Sequence, residues 1–236
     1  MLRGFSSTRD KPEGRVLSAM RPCATTLESE ITEEEMDALL AVLGEATTKG
    51  PFLEIGTAAG GTLWRMVRSV RATDPTSSFS VLDPLKYFPN QRATVEKNLR
   101  DHGIDPASID FRVCTSDEGY RIASGRGERF GFIFVDGNHK CRYVMEDLRW
   151  ASLLHAGGRL VLHDYGPRHP GVIAAVDRFL RNNSNYRKVR LAGTLLVLAK
   201  DRESTRDEVG FPDMLVAHVL TVAYSLRASA EKRLRR

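Results

Sequence analysis

Residues 52–67 read FLEIGTAAGGTLWRMV, and the class of fold follows from this stretch. An apolar run at 52–55 predicts a buried strand, and a turn with Gly56, Gly60 and Gly61 follows it. The turn leads into a predicted helix, whose apolar residues recur on one face at Leu63, Met66, Val67 and Val70. Glycine permits a tight turn and lets a ligand approach the backbone, and the N–H groups of the next helix are free to bind it. The spacing G-x-x-x-G-G is neither the dinucleotide pattern G-x-G-x-x-G nor a P-loop. The turn therefore predicts a ligand site, with a purely conformational need for glycine as the alternative.

Strand and helix patterns alternate on both sides of this turn. Before it, Thr32 and Glu35 form a capping box that opens a helix over 32–43. After it, strands are predicted at 78–82, 109–113, 130–135, 159–162, 187–191 and 194–199, and helices at 91–102, 143–154 and 171–181. Only Ala192 and Gly193 separate the last two strands, so these must form an antiparallel hairpin, because a parallel crossover needs about a dozen residues. The sequence therefore predicts an α/β fold: a doubly wound, mostly parallel seven-stranded sheet with a reversed terminal strand.

Composition excludes several classes of protein. The 236 residues are 42% hydrophobic and 28% charged, which is typical of a globular chain rather than a fibrous or disordered one. No apolar run approaches the roughly 20 residues that span a bilayer, and the N-terminus lacks the apolar segment of a secretory signal. Cys23, Cys114 and Cys141 lack the spacing of a zinc site and favour a reducing cytoplasm. The net charge is +5, but five bases and one acid in the last ten residues supply +4 of it, so we expect no nucleic-acid partner.

Polar residues follow three of the predicted strands directly. Asp83 follows the second strand, where an acid commonly binds ribose hydroxyls, although a solvated turn residue is the alternative. Asp136 and His139 follow the strand at 130–135, and His163 and Asp164 follow the next. The carboxyl ends of the strands are the ligand side of such sheets, so these four side chains could hold a divalent cation or transfer a proton. Hydrogen-bonded capping of the loops is the structural alternative.

The run from Phe52 to Lys200 resembles a class I S-adenosylmethionine-dependent methyltransferase. It is most similar to the group that includes the macrolide-sugar O-methyltransferases and the cephalosporin-biosynthesis methyltransferase-like proteins. The resemblance is carried by E-I-G-x-x-x-G-G-T at 54–62, V-D-G-N-H at 135–139 with Asp147 and Leu148 beyond it, and G-G-R-L-V-L-H-D-Y at 157–165. It implies a Rossmann-like methyltransferase fold with S-adenosylmethionine as cofactor.

The resemblance also assigns roles to individual residues. The cofactor would be bound by Glu54, Gly56, Thr57, Gly60, Gly61, Thr62, Asp83, Ser116, Asp117 and Asp136. Its catalytic pair would be Asp136 and the proposed base His139, and its metal ligands would be Asp136, His163 and Asp164. The family usually has an acidic or amide pair where this chain has His163 and Asp164. Since histidine suits zinc, iron or nickel better than magnesium, the resemblance leaves the identity and use of a metal open.

We expect three segments: an N-terminal arm and capping helix at 1–50, an S-adenosylmethionine-binding methyltransferase domain at 51–200, and a basic amphipathic C-terminal helix at 201–236. The predicted function is O-methylation of a small-molecule hydroxyl, with divalent-metal assistance as an option. The alternatives are a non-catalytic module of the same fold and a nicotinamide-dependent oxidoreductase, which would favour G-x-G-x-x-G. We also expect a homo-oligomer. The C-terminal helix would pack on the body or on a second copy, and contact with a membrane surface is its other interpretation.

Overall fold

The computed structural model describes residues 31–45, 50–204 and 208–234. Within these ranges the strands are β1 (Phe52–Ile55), β2 (Phe79–Leu82), β3 (Ile109–Arg112), β4 (Phe130–Val135), β5 (Leu154–Leu162), β6 (Tyr186–Ala192) and β7 (Leu195–Lys200). The α-helices are α1 (Glu33–Glu45), α2 (Gly61–Arg71), α3 (Gln91–Asp101), α4 (Ser116–Gly125), α5 (Cys141–Leu148), α6 (Pro170–Asn182) and α7 (Phe211–Leu234). The predicted arm at 1–30, with Cys23, lies outside the described residues.

The seven strands form one sheet in the order β3-β2-β1-β4-β5-β7-β6. The pairs from β3 to β5 are parallel, whereas β7 runs antiparallel to both β5 and β6. The predicted doubly wound, mostly parallel sheet with a reversed terminal strand is confirmed. The reversed strand is the last in sequence but lies inside the sheet, because β6 occupies the edge.

The register aligns the carboxyl ends of the central strands. Ile55 pairs with Leu82 on one side and with Val135 on the other, and Val135 pairs with Leu162. The residue after each of these four positions therefore lies in one row along the sheet edge. Those residues are Gly56, Asp83, Asp136 and His163.

Helices cover both faces of the sheet, so alternate residues of a strand enter different cores. On β4, Ile133 and Val135 pack with α5 and α6, while Phe132 and Phe134 pack with α1, α2 and α3. A strand that is buried on both faces reads as a continuous apolar run, as β4 does. This burial fixes the sheet edge on which the polar row lies.

Three elements differ from the predictions. The interval 116–125, for which no element was predicted, is α4, whose N-cap Thr115 forms a capping box with Glu118. The helix expected at 143–154 ends at Leu148, and its last part is a short 3₁₀ turn before β5. The strand expected at 159–162 begins at Leu154, because an irregularity at Gly157 and Gly158 lets both of its ends pair with β4.

The outer helices α1 and α7 extend the fold beyond the predicted central segment. Helix α1 contacts α2 and the β6–β7 hairpin, and α7 packs on α5 and α6. Of the helices in the described ranges, none is long and apolar enough to cross a membrane.

Candidate active site

A cavity of about 1150 Å³ opens at the carboxyl ends of β1, β2 and β4. Its wall includes nine of the predicted site residues: Glu54, Gly56, Thr57, Gly61, Thr62, Asp83, Ser116, Asp117 and Asp136. The proposed base His139 also lines it. Gly60, His163 and Asp164 do not line the cavity. These three predicted residues therefore lie behind the residues that form its wall.

Gly56 and Gly60 give the β1–α2 turn its shape through left-handed backbone conformations, with φ of 83° and 82°. A Cβ on Gly56 would lie 2.3 Å from the carbonyl oxygen of Asp136, a distance that no side chain tolerates. Asp83 holds the turn from β2 by accepting hydrogen bonds from the backbone N–H groups of Thr57 and Leu85, at 3.0 and 2.6 Å. The glycines therefore meet a conformational need and also bring the backbone close to the cavity.

Two buried polar atoms at this turn lack a hydrogen-bond partner. They are Oε2 of Glu54 and Oγ1 of Thr57, and both residues line the cavity. Burial raises the pKa of Glu54 well above its usual range. Buried polar groups are almost always paired in folded proteins, so unpaired ones beside a cavity indicate a polar ligand.

The N-terminal turn of α4 closes another side of the cavity. Ser116 Oγ accepts a hydrogen bond from Trp150 Nε1 at 3.1 Å, and Asp117 pairs with Arg149 and Arg121. Both residues, which the resemblance assigns to cofactor binding, therefore have structural partners as well as a place in the wall. Asp147 lies beside them, and burial raises its pKa to about 7.

Asp164 lies at the centre of a cluster of three histidines. Its carboxylate is 2.7 Å from His139 Nε2, 3.5 Å from His163 Nδ1 and 3.4 Å from His169 Nε2. Burial alone would raise the pKa of Asp164, but hydrogen bonds from His139 and His163 outweigh it and lower the pKa. The hydrogen bond with Asp164 raises the pKa of His139. Asp164 itself has φ of 60°, in the left-handed region that non-glycine residues rarely adopt.

His163 is nearly inaccessible and has a carboxylate at each ring nitrogen. Nδ1 lies 3.2 Å from Asp136 Oδ1, and Nε2 lies 3.4 Å from Glu35 Oε2. Burial lowers the pKa of His163, but hydrogen bonds to Asp136 and Asp164 raise it further, to about 10. The contact with Glu35 was not predicted, since the capping box already accounted for that acid. Its place beside Met36 on the apolar face of α1 was the available signal.

Asp136, His163 and Asp164 fit a cation site in chemistry and spacing. Each offers one ligand atom, and the three atoms lie within 4.8 Å of one another. Metal-bound histidines usually donate their second ring N–H to a carboxylate, and Glu35 occupies that position at Nε2. A cation would take the place of the Nδ1 proton, because only neutral imidazole is a ligand. His139, Asp164 and His169 form a second, overlapping group of the same kind.

Helix α7 forms the far wall of the cavity through Thr221, Tyr224, Ser225 and Ala228. Thr221 Oγ1 accepts a hydrogen bond from the backbone N–H of Arg142 at 2.9 Å, which fixes α7 to the start of α5. Tyr87, Tyr143 and Arg168 also line the cavity. Sequence reasoning did not place α7 at the site, and its polar Thr221, Tyr224 and Ser225, interrupting an apolar helix, were the signal.

The strand order, the reversed β7 and the glycine turn after β1 define the fold of the class I methyltransferases. Residues 53–165 match the model of a methyltransferase-domain family. The predicted family resemblance, fold and enzyme class are confirmed.

Solved O-methyltransferases share the fold. One is TomG from Streptomyces achromogenes, involved in tomaymycin synthesis and solved with S-adenosylmethionine; it is 17% identical, has a TM-score of 0.56, and the alignment covers 72% of this chain and 81% of that one. An O-methyltransferase from Bacillus cereus, solved with S-adenosylhomocysteine, is 13% identical and has a TM-score of 0.58; the alignment covers 72% of this chain and 81% of that one. The TDP-rhamnose 3′-O-methyltransferase CalS11 of calicheamicin biosynthesis is 16% identical and has a TM-score of 0.57; the alignment covers 70% of this chain and 76% of that one. Comparison with curated proteins gives no significant match.

Proposed function

We propose that this protein transfers a methyl group from S-adenosylmethionine to a hydroxyl of a small molecule. The observation that carries the proposal is the pair of His139 and Asp164, 2.7 Å apart, beside a cavity that begins at the glycine turn. The cofactor resemblance is supported by neighbours that hold S-adenosylmethionine or its demethylated product. A small-molecule acceptor suits a cavity of this size.

The residues present fit the cofactor. The left-handed glycines leave room for it, and the free oxygens of Glu54 and Thr57 offer acceptors for its polar groups. Asp83 would bind the ribose, and Ser116 and Asp117 would lie near the adenine, and the presence of all three in the cavity wall supports this assignment. When bound, S-adenosylmethionine supplies an electrophilic methyl group. Holding the acceptor oxygen close to it can contribute about 7–11 kcal/mol to lowering the barrier.

His139 would act as the base. In its neutral form, Nε2–H donates to Asp164, so the lone pair lies on Nδ1. During transfer of the methyl group that S-adenosylmethionine would supply, Nδ1 would take the proton of the acceptor hydroxyl. Asp164 stabilises the resulting imidazolium, as the carboxylate does in other acid–base pairs.

We further propose that Asp136, His163 and Asp164 hold a divalent cation. A cation bound there would lower the pKa of the acceptor hydroxyl and orient it. The mixed imidazole and carboxylate set favours zinc, iron or nickel over magnesium. We also propose a cytoplasmic location, which the free thiols of Cys114 and Cys141 favour.

The test uses purified protein with S-adenosylmethionine and a panel of small hydroxyl compounds, and measures S-adenosylhomocysteine by mass spectrometry. Once an acceptor is found, His139→Ala should keep cofactor affinity and reduce turnover by about 10²-fold or more. The matched control is His102→Ala, an exposed histidine stacked on Trp64 away from the cavity, which should leave turnover unchanged. Equal turnover in His139→Ala and wild type would contradict the role of His139.

Calorimetric titration of the chelator-treated protein with each divalent cation tests the metal. Asp136→Ala and Asp164→Ala should abolish cation binding, whereas Asp201→Ala, an exposed acid at the end of β7, should not. Full activity in metal-free protein, verified by elemental analysis, would leave His139 as a metal-independent base.

Binding partners separate the two alternative functions. A nicotinamide-dependent oxidoreductase would bind a nicotinamide dinucleotide and not S-adenosylhomocysteine. A non-catalytic module would bind S-adenosylhomocysteine but show equal, background-level turnover in wild type and His139→Ala with every acceptor.

A further inference from the structure

Helix α7 presents a stripe of large apolar side chains to solvent, in addition to the face that packs on the body. The stripe consists of Phe211, Leu215, Val219, Val222 and Leu226, which are 48–79% exposed. At about 100° per residue these positions fall within an arc of about 80°, over a helix length of about 22 Å. They are five of the eleven exposed large hydrophobic residues found in the described part of the chain. An apolar stripe of this kind marks an interaction surface.

The stripe lies on a different side of α7 from the residues that line the cavity. Ala217 is fully buried, and Met214 and Leu220 pack against the core on the opposite side of the helix. Thr221 and Tyr224, which face the cavity, also lie on that inner side. Among residues 31–45, 50–204 and 208–234, none covers the outer stripe, as the exposure of its members shows.

The charges around the stripe favour a protein rather than a membrane. Helices that lie on anionic membranes carry lysine and arginine beside their apolar face. Residues 211–226 contain neither, and their only titratable groups besides Tyr224 are Asp213 and His218. Asp213 is already paired with Arg178.

We propose that the stripe binds the same stripe of a second copy of this chain, with the two α7 helices antiparallel. The spacings from Leu215 to Val219, Val222 and Leu226 are 4, 3 and 4 residues, a series that is identical when reversed. In a two-fold arrangement Leu215 therefore faces Leu226 of the second copy, and Val219 faces Val222. Phe211, the most exposed member at 79%, faces the small Ala230. Two-fold interfaces require this self-complementarity.

The charge at the end of α7 favours the antiparallel direction. Residues 227–236 carry five bases and one acid, a net charge of +4. Antiparallel pairing keeps these basic segments of the two copies at opposite ends of the helix pair, whereas parallel pairing would place them together and repel.

Sedimentation of the full-length protein tests the pairing. The wild type should sediment at twice the chain mass of 26.3 kDa, and Val222→Glu, near the two-fold axis, should raise the dissociation constant about 30-fold or more. The matched control is Leu191→Glu on β6, where an equally exposed apolar residue lies off the stripe. Circular dichroism checks that both variants are folded, as their exposure predicts. A monomeric wild type, or a dimer that Val222→Glu leaves unchanged, would overturn the proposal.

Cysteine cross-linking tests the direction of the helices. Mixing Leu215→Cys protein with Leu226→Cys protein should give a disulfide-linked dimer in high yield, while Leu215→Cys protein alone should give no more than the wild type with its native cysteines. The reverse result would indicate parallel pairing and contradict the two-fold antiparallel model. Co-sedimentation of a monomeric wild type with anionic phospholipid vesicles, lost in Val222→Glu, would assign the stripe to a membrane instead.

Discussion

Gly56 illustrates how one residue can serve both the fold and the ligand. Its φ of 83° alone would cost an L-residue about 1–2 kcal/mol, and a Cβ would also collide with the backbone of Asp136. Gly56→Ala should therefore reduce S-adenosylhomocysteine affinity more than 10-fold in a calorimetric titration, since about 1.4 kcal/mol of distortion suffices. Gly103→Ala is the matched control: its φ is 76°, but a Cβ there meets open space. It should lose stability and keep full affinity. Equal affinities in the two variants would contradict the close-approach argument.

Asp147 should make stability depend on pH. Burial raises its pKa from 3.8 to about 7, so between pH 4 and 7 the folded state holds a proton that the unfolded state has lost. The free energy of unfolding contributed by Asp147 therefore falls as pH rises through that window, by up to about 4 kcal/mol, and is constant above it. Asp147→Asn removes this loss. Urea denaturation at pH 5 and pH 8 should show the variant gaining stability relative to wild type at pH 8. A difference that does not change with pH would rule this assignment out.

The predictable part of the site is the row at the strand ends. Asp83, Asp136 and His163 each follow an apolar run, and the parallel register brings such residues together without further information. Glu35 and Tyr224 could not be placed in the same way. Their positions depend on how α1 and α7 pack, and Glu35 reaches His163 across 128 positions of sequence. Packing of this kind has no short-range signature.

At the scale of elements, α1 is held to the hairpin by one buried carboxylate. Glu35 accepts hydrogen bonds from the backbone N–H and hydroxyl of Thr194, at 2.6 and 2.8 Å, and from the same two groups of Thr32. Burial alone would raise the pKa of Glu35, but these four bonds outweigh it and lower the pKa to about 2. The carboxylate is therefore ionised at every physiological pH.

Removing that carboxylate should loosen α1. Glu35→Ala leaves the buried donors of Thr194 and Thr32 unpaired, and we expect a loss of about 2–4 kcal/mol in the free energy of unfolding. The control is Glu33→Ala on the same helix turn, whose exposed ion pair with Arg65 should contribute less than about 1 kcal/mol. Urea denaturation measures both. Similar losses in the two variants would mean that Glu35 only caps the helix.

Elements were predictable where periodicity or a turn residue marked them. The hairpin at Gly193 and the seven strands follow from short apolar or alternating runs and glycine, whereas α4 buries only Gly119, Tyr120 and Ala123. Its clearest signal is the capping box of Thr115 and Glu118, which is local and readable. The early start of β5 was not readable, because pairing with β4 overrides the glycines at 157 and 158.

At the scale of the whole molecule, the cofactor should stabilise the fold. The cavity wall takes residues from β1, β2, α4, α5 and α7, so a ligand that fills it resists global unfolding. S-adenosylhomocysteine at 100 times its Kd should add about 2.7 kcal/mol, which corresponds to a rise in Tm of about 5–10 °C. Differential scanning calorimetry measures the shift. A nicotinamide dinucleotide at the same concentration should produce none, and a larger shift with it would favour the oxidoreductase interpretation.

The hydrogen bond between Glu35 and Thr194 can form only late in the synthesis of the chain on the ribosome. The two residues are 159 positions apart, so at about 5–20 residues per second Glu35 is made roughly 8–32 s before its partner. During that interval α1 can already pack on α2, but the Glu35 carboxylate lacks the two donors of Thr194. The contact between α1 and the hairpin is therefore among the last in the fold to form. A nascent chain that stalls before residue 194 would hold α1 through its other contacts alone.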